Sequence, residues 1–590
     1  MAESIISPGV FQRENDISFV QPAPIAAGAA FIGPTVKGPI EIPTIVTSYN
    51  NYLRIFGDTF ISASTSYEYL TSLAVKNYFS QGGQTALITR VANTATNYST
   101  AANTWISASA TTGPLTGSQP FTLATLGRGA MYNSATSSNH PIVSSATYQN
   151  GDGSLISGSV DNIRWEISNI NNTLGTFTVS VRQGNDNTNN KTVLETFNNV
   201  SLDPNSDNYI ASVIGDQVQA FATDGTSYYL NTTGSYPNRS NYIRVSAVNN
   251  KTINYLANDG TTVNRDATGV SFSGSLPTSQ SGSFWSATGT IANGANYFSA
   301  INSSNTQGLV GTDYTNAIRL LSNKDDYQFN IIAAPGLTYA NTVTQLDSIV
   351  SLAESRGDCI AVIDLVNYDS TLGGATDKAK SLNTSYGASY WPWLQMRSAT
   401  GRNEWCPASV VIPGVYAFTD AAAAPWFAPA GLVRGGIPGV IQTERRLSKS
   451  DRDNLYGGKV NPIATFPGTG ISIMGQKTLQ SKASALDRVN VRRLLIDLKK
   501  FIGDQARNLV FEQNTISTRN KFLAAVNPYL ESVVQRQGLY AYRVVMDDTN
   551  NTADVVDRNQ LIGQIYIQPA KTIEFVVLDF VIEPTGVTFG

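Results

Sequence analysis

The sequence predicts a multidomain protein in which an α/β core is interrupted by a β-rich insertion and followed by an α+β domain. The chain has 590 residues, more than one ordinary hydrophobic core can organise. Between residues about 96 and 305 the composition shifts to Ser, Thr, Asn and Gly, and the mixed α/β composition then returns. A strand–helix–strand pattern at 329–365 indicates a parallel strand pair joined by a right-handed crossover.

Residues 1–24 are rich in Pro, Gln and Asn, which predicts an extended N-terminal arm. Residues 25–95 are predicted to form the first part of the core. There we expect a buried strand at Ala27–Gly33, a helix at Ser66–Phe79 and a strand at Thr85–Val91. The Gly82-Gly83 pair separates the helix from the second strand.

Residues 96–305 are predicted to form the insertion, as one small β domain or two. Short alternating runs such as Thr176–Arg182 and Tyr242–Ser246 are separated by turn residues, as in β-rich modules. Disorder is the alternative. The recurring Phe, Tyr, Trp and Ile disfavour it, because they can build a packed core.

Residues 306–480 continue the core, and residues 481–571 are predicted to form a C-terminal α+β domain. In the core, strands at Phe329–Gly336 and Cys359–Leu365 flank a helix at Asn341–Arg356. In the C-terminal domain we predict an amphipathic helix at Val489–Glu512 and a second helix at Thr518–Gln537, with a kink at Pro528. Two strands are predicted to follow, at Tyr540–Met546 and Gln564–Gln568.

Residues 572–590 are predicted to form a terminal strand and arm. The run Thr572–Ile582 carries apolar residues at both odd and even positions. A strand of this kind needs cover on both of its faces.

Composition excludes several classes of protein. Charged residues make up 14% of the chain, against about a quarter in a typical protein, which favours assembly over a monomeric state. The net charge of −3 disfavours a general nucleic-acid binder. We expect neither a secretion signal nor a membrane-spanning segment, and the two cysteines, Cys359 and Cys406, have no metal-like spacing. Production in a reducing cytoplasm is therefore expected.

No catalytic constellation is present in the sequence, so we predict no catalytic, cofactor-binding or metal-binding residues and no enzyme activity. The phosphate-binding loop, the zinc-protease helix, the calcium loop and the hydrolase nucleophile motif are all missing. The single histidine, His140, lies in a polar stretch predicted to be a solvated loop. Gly468–Gly470 is predicted to be a turn, and the acidic pairs Asp325-Asp326 and Asp547-Asp548 are predicted to lie in solvated turns.

Several segments outside the insertion resemble, in order and spacing, the contractile tail sheath family of myovirus-type tailed bacteriophages. These segments are Ser7–Phe11, Gly33–Pro39, Pro43–Ser48, Phe56-Gly57, Tyr78-Phe79, Gly82-Gly83, Tyr390–Trp393, Ala428–Gly431, Asn461–Ile463 with Gly468 and Gly475, and Asn490–Arg493. The insertion matches no family pattern. We predict that the indole rings of Trp391, Trp393 and Trp426 pack in the hydrophobic core, and contact with another subunit is the alternative.

The resemblance implies a subtilisin-like α/β sheath core that lacks the protease's active site. It also implies a virion protein, made in the host cytoplasm, that forms homohexameric rings stacked helically around the tail tube protein. The expected partners at the ends of the sheath are baseplate and tail terminator or neck proteins. Contraction would drive the tube through the host envelope for genome ejection, without a cofactor, direct nucleic-acid contact or membrane insertion. The insertion is predicted to face outward.

The resemblance also points to two groups of contact residues. The arms at about 1–22 and 572–590 are predicted to pair with the C-terminal domains of neighbours through Ile5, Ile6, Val10, Phe11, Phe575, Val577, Phe580 and Ile582. The helix at Val489–Asn508 is predicted to contact the tube through Arg492, Arg493, Lys499, Lys500 and Arg507, which would face away from their own domain. The alternative is an ordinary solvated helix face.

Three other functions compete with this interpretation. A sheath from a contractile injection system, either a secretion machine or a tail-derived bacteriocin, would share the fold and the mechanism. A secreted subtilisin-like hydrolase is disfavoured by the missing signal and the unsuitable histidine. A β-rich surface adhesin is disfavoured by the α/β core and by the same missing signal.

Overall fold

A computed structural model describes residues 27–62, 65–92, 101–104, 106, 119–128, 150–155, 158–284 and 307–574. The predicted contact residues of both arms lie outside these ranges, as does His140. The final predicted strand, Thr572–Ile582, is described only as far as Glu574, and residues 572–574 are not in a strand.

The N-terminal part of the core contains two helices and five strands. The helices are α1 (Tyr49–Phe56) and α2 (Leu70–Ser80). The strands are β1 (Ala27–Gly33), β2 (Thr44–Val46), β3 (Thr59–Ser62), β4 (Thr65–Glu68) and β5 (Ala86–Arg90).

The described part of the insertion is almost entirely β structure, with one short helix, α3 (Ile210–Ile214). Its strands are β6 (Ala101–Asn103), β7 (Phe121–Arg128), β8 (Ile163–Asn171), β9 (Thr176–Gln183), β10 (Val193–Ser201), β11 (Val218–Thr223), β12 (Tyr228–Thr233), β13 (Ile243–Val248) and β14 (Gln280–Ser283).

After the insertion, the core continues with alternating helices and strands. The helices are α4 (Thr315–Leu320), α5 (Val343–Arg356), α6 (Leu372–Ser381), α7 (Ile412–Ala422), α8 (Gly431–Arg434) and α9 (Lys449–Gly457). The strands are β15 (Phe329–Thr338), β16 (Ile360–Asp364), β17 (Gly387–Trp391), β18 (Leu394–Arg397), β19 (Asn403–Cys406), β20 (Val440–Thr443), β21 (Asn461–Phe466) and β22 (Gly470–Ile473).

The C-terminal domain contains two long helices, one short helix and a pair of strands. The helices are α10 (Val489–Arg507), α11 (Ile516–Gln535) and α12 (Ala553–Asp557). The strands are β23 (Leu539–Val545) and β24 (Gln564–Pro569). Helix α11 runs continuously through Pro528.

An eight-stranded sheet in the order β2-β5-β1-β15-β16-β17-β21-β22 organises the core. The six strands from β5 to β21 are parallel, and β2 and β22 are antiparallel at the two edges. Strand β1 lies beside β15, with Ala29 opposite Ile331, although more than 200 residues of mostly insertion sequence separate β5 from β15. The two segments that flank the insertion therefore share one sheet.

Helices cover both faces of this sheet. One apolar cluster joins the sheet to α4, α5, α6 and α9, and the other joins it to α1, α2, α7 and the start of α10. Adjacent residues of β15 alternate between the two clusters, with Ile332 in the first and Ile331 in the second. Because both faces are covered, a central strand can be apolar at successive positions, as residues 360–363 of β16 show.

The strand–helix–strand unit predicted at 329–365 is confirmed. Strands β15 and β16 are parallel, and α5 connects them. The helix ends at Gly357, whose φ of +69° is a left-handed conformation that glycine adopts without a steric penalty. The turn predicted at Gly468–Gly470 and the exposed turns at the two acidic pairs are also confirmed.

The helix predicted at Ser66–Phe79 starts later than expected. Residues 65–68 form β4, which pairs with β3 in a short hairpin, and α2 begins only at Leu70. Phe60 of the hairpin packs against Tyr69 with ring centroids 4.9 Å apart. This packing keeps residues 65–68 extended, although the spacing of apolar side chains over residues 66–79 is also compatible with a helix.

The described part of the insertion has a single apolar core between two sheets. Strands β10-β9-β8-β14 form one sheet and β13-β7-β6 the other, and the hairpin β11-β12 is separate from both. Phe121 of β7 stacks on Phe177 of β9 at a centroid distance of 5.3 Å, and Trp165 is buried in the same cluster. The insertion can therefore bury its own apolar surface without the core.

A buried carboxylate lies at the C-terminal end of β16. Asp364 is 4% exposed and accepts hydrogen bonds from the Ser409 backbone N–H, at 3.0 Å, and from the Ser409 hydroxyl. Burial raises the pKa of Asp364 to about 7, although the two hydrogen bonds from Ser409 act in the opposite direction. The folded protein therefore binds a proton here that the unfolded chain releases near pH 4.

This proton makes stability depend on pH. The contribution of this proton to the free energy of unfolding is fully present below the ordinary pKa of 3.8, and it is lost as the pH rises through about 7. The loss amounts to about 1.4 kcal/mol for each pH unit in that window. Asp364→Asn should therefore reduce the fall in urea-unfolding midpoint between pH 6 and pH 8. The exposed Asp207→Asn should keep the parental difference, and an unchanged pH difference in Asp364→Asn would contradict the prediction.

Candidate assembly site

The N-terminal half of α10 is buried against the core, and this burial includes two of the predicted tube-contact residues. Arg492 and Arg493 are each 4% exposed. Arg493 pairs with Asp420 of α7 at 2.6 Å and lies over the Tyr416 ring. Arg492 donates to the Ser385 hydroxyl and lies 4.0 Å from the centroid of the Tyr386 ring. The prediction that these two residues face away from their own domain is wrong, because the core covers both guanidinium groups.

The other three predicted contact residues lie on the distal half of the same helix and remain accessible. Lys499 is exposed, Lys500 is half-buried, and the Arg507 side chain is 57% exposed. The Lys499 ammonium donates to the Tyr386 hydroxyl at 3.2 Å. Arg507 pairs with Asp325 at 3.3 Å and with Asp504 at 4.0 Å.

These three residues line a basic groove, which we call the α10 groove. It has a volume of about 300 Å³ and also contains Lys324 and Arg356, against the acidic Asp358 and Asp504. Arg356 is committed to its own domain, since it pairs with Asp358 at 2.8 Å. The accessible charge of the groove is therefore carried mainly by the lysines and by Arg507.

Helix α11 fixes the direction of α10. Phe501 stacks on Tyr529 with ring centroids 3.8 Å apart, and the Tyr529 hydroxyl donates to Asp497 at 2.6 Å. Leu494 and Leu498 complete an apolar cluster with Phe522 and Val526. Apolar packing on one side thus leaves the basic residues of the distal half on the other.

Strands β23 and β24 form an antiparallel pair in the C-terminal domain, the domain with which the arms of neighbours are predicted to pair. Within the described residues, neither strand pairs with a third strand. Tyr540 and Tyr566 are 64% and 56% exposed, so one surface of the pair is open to solvent. An unpaired edge presents backbone N–H and C=O groups to which an extended segment can add.

The start of the C-terminal arm is held by a cluster that the sequence did not indicate, and we call it the Glu574 anchor. The Glu574 carboxylate accepts hydrogen bonds from Arg488 at 2.6 and 3.0 Å. It also accepts from the Tyr456 hydroxyl at 2.8 Å and from the Gln476 amide at 3.1 Å. Burial by itself raises the pKa of Glu574, but these hydrogen bonds outweigh it and hold the pKa below its usual value.

The Glu574 anchor could not be found by spacing in the sequence, because its members are 86 to 118 residues from Glu574. Glu574 also lines a cavity of about 780 Å³ whose walls combine apolar side chains such as Trp426 and Met474 with charged ones such as Arg452. Ile573 points into open surroundings here and is 85% exposed. The anchor therefore holds Glu574, the last described residue of the predicted arm at 572–590, on the core.

The three tryptophans predicted to pack in the core are buried. Trp391, Trp393 and Trp426 are 2%, 6% and 5% exposed. The Trp426 indole N–H donates to the Arg536 carbonyl at 3.0 Å, which ties the core to the end of α11. The prediction of core packing is confirmed for all three.

The described part of the chain offers little that resembles a catalytic centre. No group of three or more His, Cys, Asp or Glu side chains there is arranged to hold a metal ion. Within the same ranges, every helix is too short or too polar to cross a membrane. Cys359 and Cys406 are buried free thiols whose pKa values are raised by burial.

Comparison with known proteins finds two family domains in the part of the chain from residue 307 onward. Residues 307–479 match the phage tail sheath protein central domain, and residues 481–583 match the phage tail sheath C-terminal domain. The tail sheath protein of Vibrio phage KVP40 is 34% identical over 305 residues, which cover 47% of this chain and 45% of that protein. The tail sheath protein of Enterobacteria phage T4 is 35% identical over 275 residues, which cover 44% and 41%.

The matched region thus spans less than half the length of each of these relatives. The fold extends further than the sequence match. The crystal structure of a sheath tail protein from Listeria innocua superposes with a TM-score of 0.52 at 10% identity, covering 92% of this chain and 95% of that one. Residues 307–583 of this chain are thus similar in sequence to the central and C-terminal domains of phage tail sheath proteins, and its mixed α/β fold of several sheets is similar to that of a sheath tail protein.

Proposed function

We propose that this protein is the structural subunit of a contractile phage tail sheath. It polymerises as hexameric rings stacked helically around a tail tube, and contraction of the stack drives the tube through the host envelope for genome ejection. Its partners are further copies of itself, the tube protein, and baseplate and tail terminator or neck proteins at the ends. The observation that carries the proposal is the presence of two consecutive sheath domains over residues 307–583.

The proposed arms connect neighbouring subunits. The edges of β23 and β24 can accept an extended segment, and the Glu574 anchor holds the root of the C-terminal arm on the core. In contraction, subunits must move as rigid bodies while they stay joined. An arm anchored at Glu574 and paired with a neighbour transmits that movement without separating the two subunits.

We propose that the α10 groove contacts the tube through Lys499, Lys500 and Arg507. Arg492 and Arg493 are not part of this contact, because they are buried against the core. An exposed ion pair contributes only about 0–1 kcal/mol, so a contact built from such pairs is released in small steps. An apolar contact would cost about 25 cal/mol for each Å² that contraction exposes. Electrostatic attachment therefore suits a tube that must slide free.

The proposal includes a subtilisin-like core without enzyme activity. The buried Asp364 and Ser409 hydrogen-bond each other, and the described residues contain no histidine that could act as the base of a triad. A hydrolase is therefore disfavoured. A contractile injection system sheath is the second candidate, but the curated relatives described above both come from phages.

The arms give the first test of assembly. Removing residues 1–20 or residues 575–590 should leave a folded protein that no longer forms sedimentable tubes, because the segments proposed to join neighbours are gone. Electron microscopy and ultracentrifugation measure tube formation, and circular dichroism checks folding. Normal tubes from either truncated protein would remove that arm from the assembly mechanism.

The Glu574 anchor gives a finer test. Glu574→Gln removes the charge that Arg488 binds, so the critical concentration for tube formation should rise several-fold while the melting temperature changes little. Asp557→Asn is the matched control, since Asp557 is an exposed acid of the same domain. An unchanged critical concentration in Glu574→Gln would show that the arm does not need this anchor.

Charge reversal tests the tube contact. Lys499→Glu with Lys500→Glu should impair co-assembly with the tube but still allow tube-free sheath polymers, because polymerisation is assigned to the arms. The control is Lys251→Glu with Arg239→Glu on exposed residues of the insertion, which makes the same change in net charge. We propose that the insertion projects outward, so the control should assemble normally. Normally sheathed tails from the α10 double variant would exclude the groove as the tube contact.

A further inference from the structure

A cavity at the seam between the core and the insertion contains three arginines, and we call it the arginine cavity. It has a volume of about 480 Å³ and is lined on the core side by the loop at Gly38 and by helix α1. On the insertion side it is lined by the ends of β7 and β13 and by the β11-β12 hairpin. Its arginines are Arg54, Arg128 and Arg244.

Buried hydrogen bonds position Arg128 at this seam. Arg90 is 0% exposed and donates to the carbonyl groups of Gly38, at 2.6 Å, and of Arg128, at 2.7 Å. Gly38 has a φ of +104° and lies close to Phe56, so a larger residue would displace this loop. The Arg128 guanidinium then reaches across the cavity and donates to the Gln219 carbonyl at 3.3 Å.

The other two arginines enter from opposite walls. Arg244 lies on β13, in register with Ala124 of β7, and Arg54 lies in the last turn of α1. Arg54 donates to the Asn51 side chain at 3.3 Å. The core side therefore contributes Arg54 to this space, and the insertion side contributes Arg128 and Arg244.

These three guanidinium groups make no ion pair within the described residues, in contrast to the buried arginines of the insertion sheet. Arg164 and Arg182 there both pair with Asp186. The acids that act electrostatically on the cavity have other partners: Glu41 accepts from Asn316 at 3.1 Å, and Asp216 accepts from the Tyr236 backbone at 2.7 Å. These acids, and Glu195 beside Asn241, oppose the arginines from a distance, and the N–H donors of the three guanidinium groups are not taken up by an ion pair within the described residues.

Burial lowers the pKa values of Arg128 and Arg244, and each is further affected by the charge around it. The charge of the nearby Arg128 lowers the pKa of Arg244 further, and the charge of Asp216 raises it. Placing like charges together in a half-buried site is unfavourable unless an anion compensates them. The volume lies within the range of small-molecule sites, and Ile42, Leu126 and Val218 supply apolar walls.

We propose that the arginine cavity binds an oxyanion of the phosphate or carboxylate class between the core and the insertion. Guanidinium groups offer paired N–H donors that match the two oxygens of such a group. The oxyanion would offset part of the charge of the three guanidinium groups and link the two parts of the chain at their seam. Its source is either a small anion in solution or an acidic side chain of another copy of this protein.

The test compares Arg54→Gln with Arg244→Gln against Arg265→Gln in the full chain. Arg128 is left unchanged because its side chain also bonds Gln219. Arg265 is an exposed arginine of the insertion, outside the cavity. Calorimetry and ³¹P NMR measure the binding of inorganic phosphate, and calorimetry that of citrate, to dilute protein at constant ionic strength. We expect saturable binding to the parent and to Arg265→Gln, and an affinity at least tenfold lower in the double variant.

The same variants separate the two sources of the anion. If dilute parent binds neither anion but only the double variant loses tube formation, the oxyanion is an acidic side chain of a neighbouring copy. The single variant Arg244→Gln controls for a folding defect. Its melting temperature should equal that of the parent protein. Phosphate binding that is equal in all variants overturns the proposal, as does an absence of binding together with normal tubes from the double variant.

Discussion

The docking of α10 onto the core is the constraint on which the proposed assembly surfaces depend. Arg493 pairs with Asp420, and Arg492 lies on Tyr386, so the first half of the helix is fixed to the core. Breaking a buried ion pair by removing one partner costs about 3–5 kcal/mol, which makes this attachment a rigid one. Since the helix is continuous to Arg507, fixing its beginning also fixes where its basic end lies.

The same attachment gives the arm a stable base. Arg488 immediately precedes α10 and binds Glu574, while Trp426 bonds to the end of α11. The core, the two long helices and the exit point of the arm are thus connected by side chains of only a few residues. Under the proposed function, a subunit held together in this way would move as one body while the proposed arms keep it joined to its neighbours.

The insertion interrupts the core without disturbing it, because each part satisfies its own packing. The central sheet closes across the insertion through β1 and β15, and the insertion has its own cluster around Trp165. Contacts between the two parts are therefore free to be polar. The arginine cavity lies at this seam, where Arg90 reaches from the core sheet to the carbonyl of Arg128.

The sequence by itself determined the elements whose patterns are local. The apolar run at residues 360–363 and the period of α5 were sufficient for a parallel pair, because strands covered on both faces have apolar residues at successive positions. The tertiary structure decided which side chains are buried by residues distant in the sequence. Helical period identifies the basic side chains of α10, but only the position of Asp420 shows that Arg493 is buried. The hairpin at residues 59–68 and the Glu574 anchor likewise depend on contacts that only folding creates, since burial is set by whichever element packs against a residue.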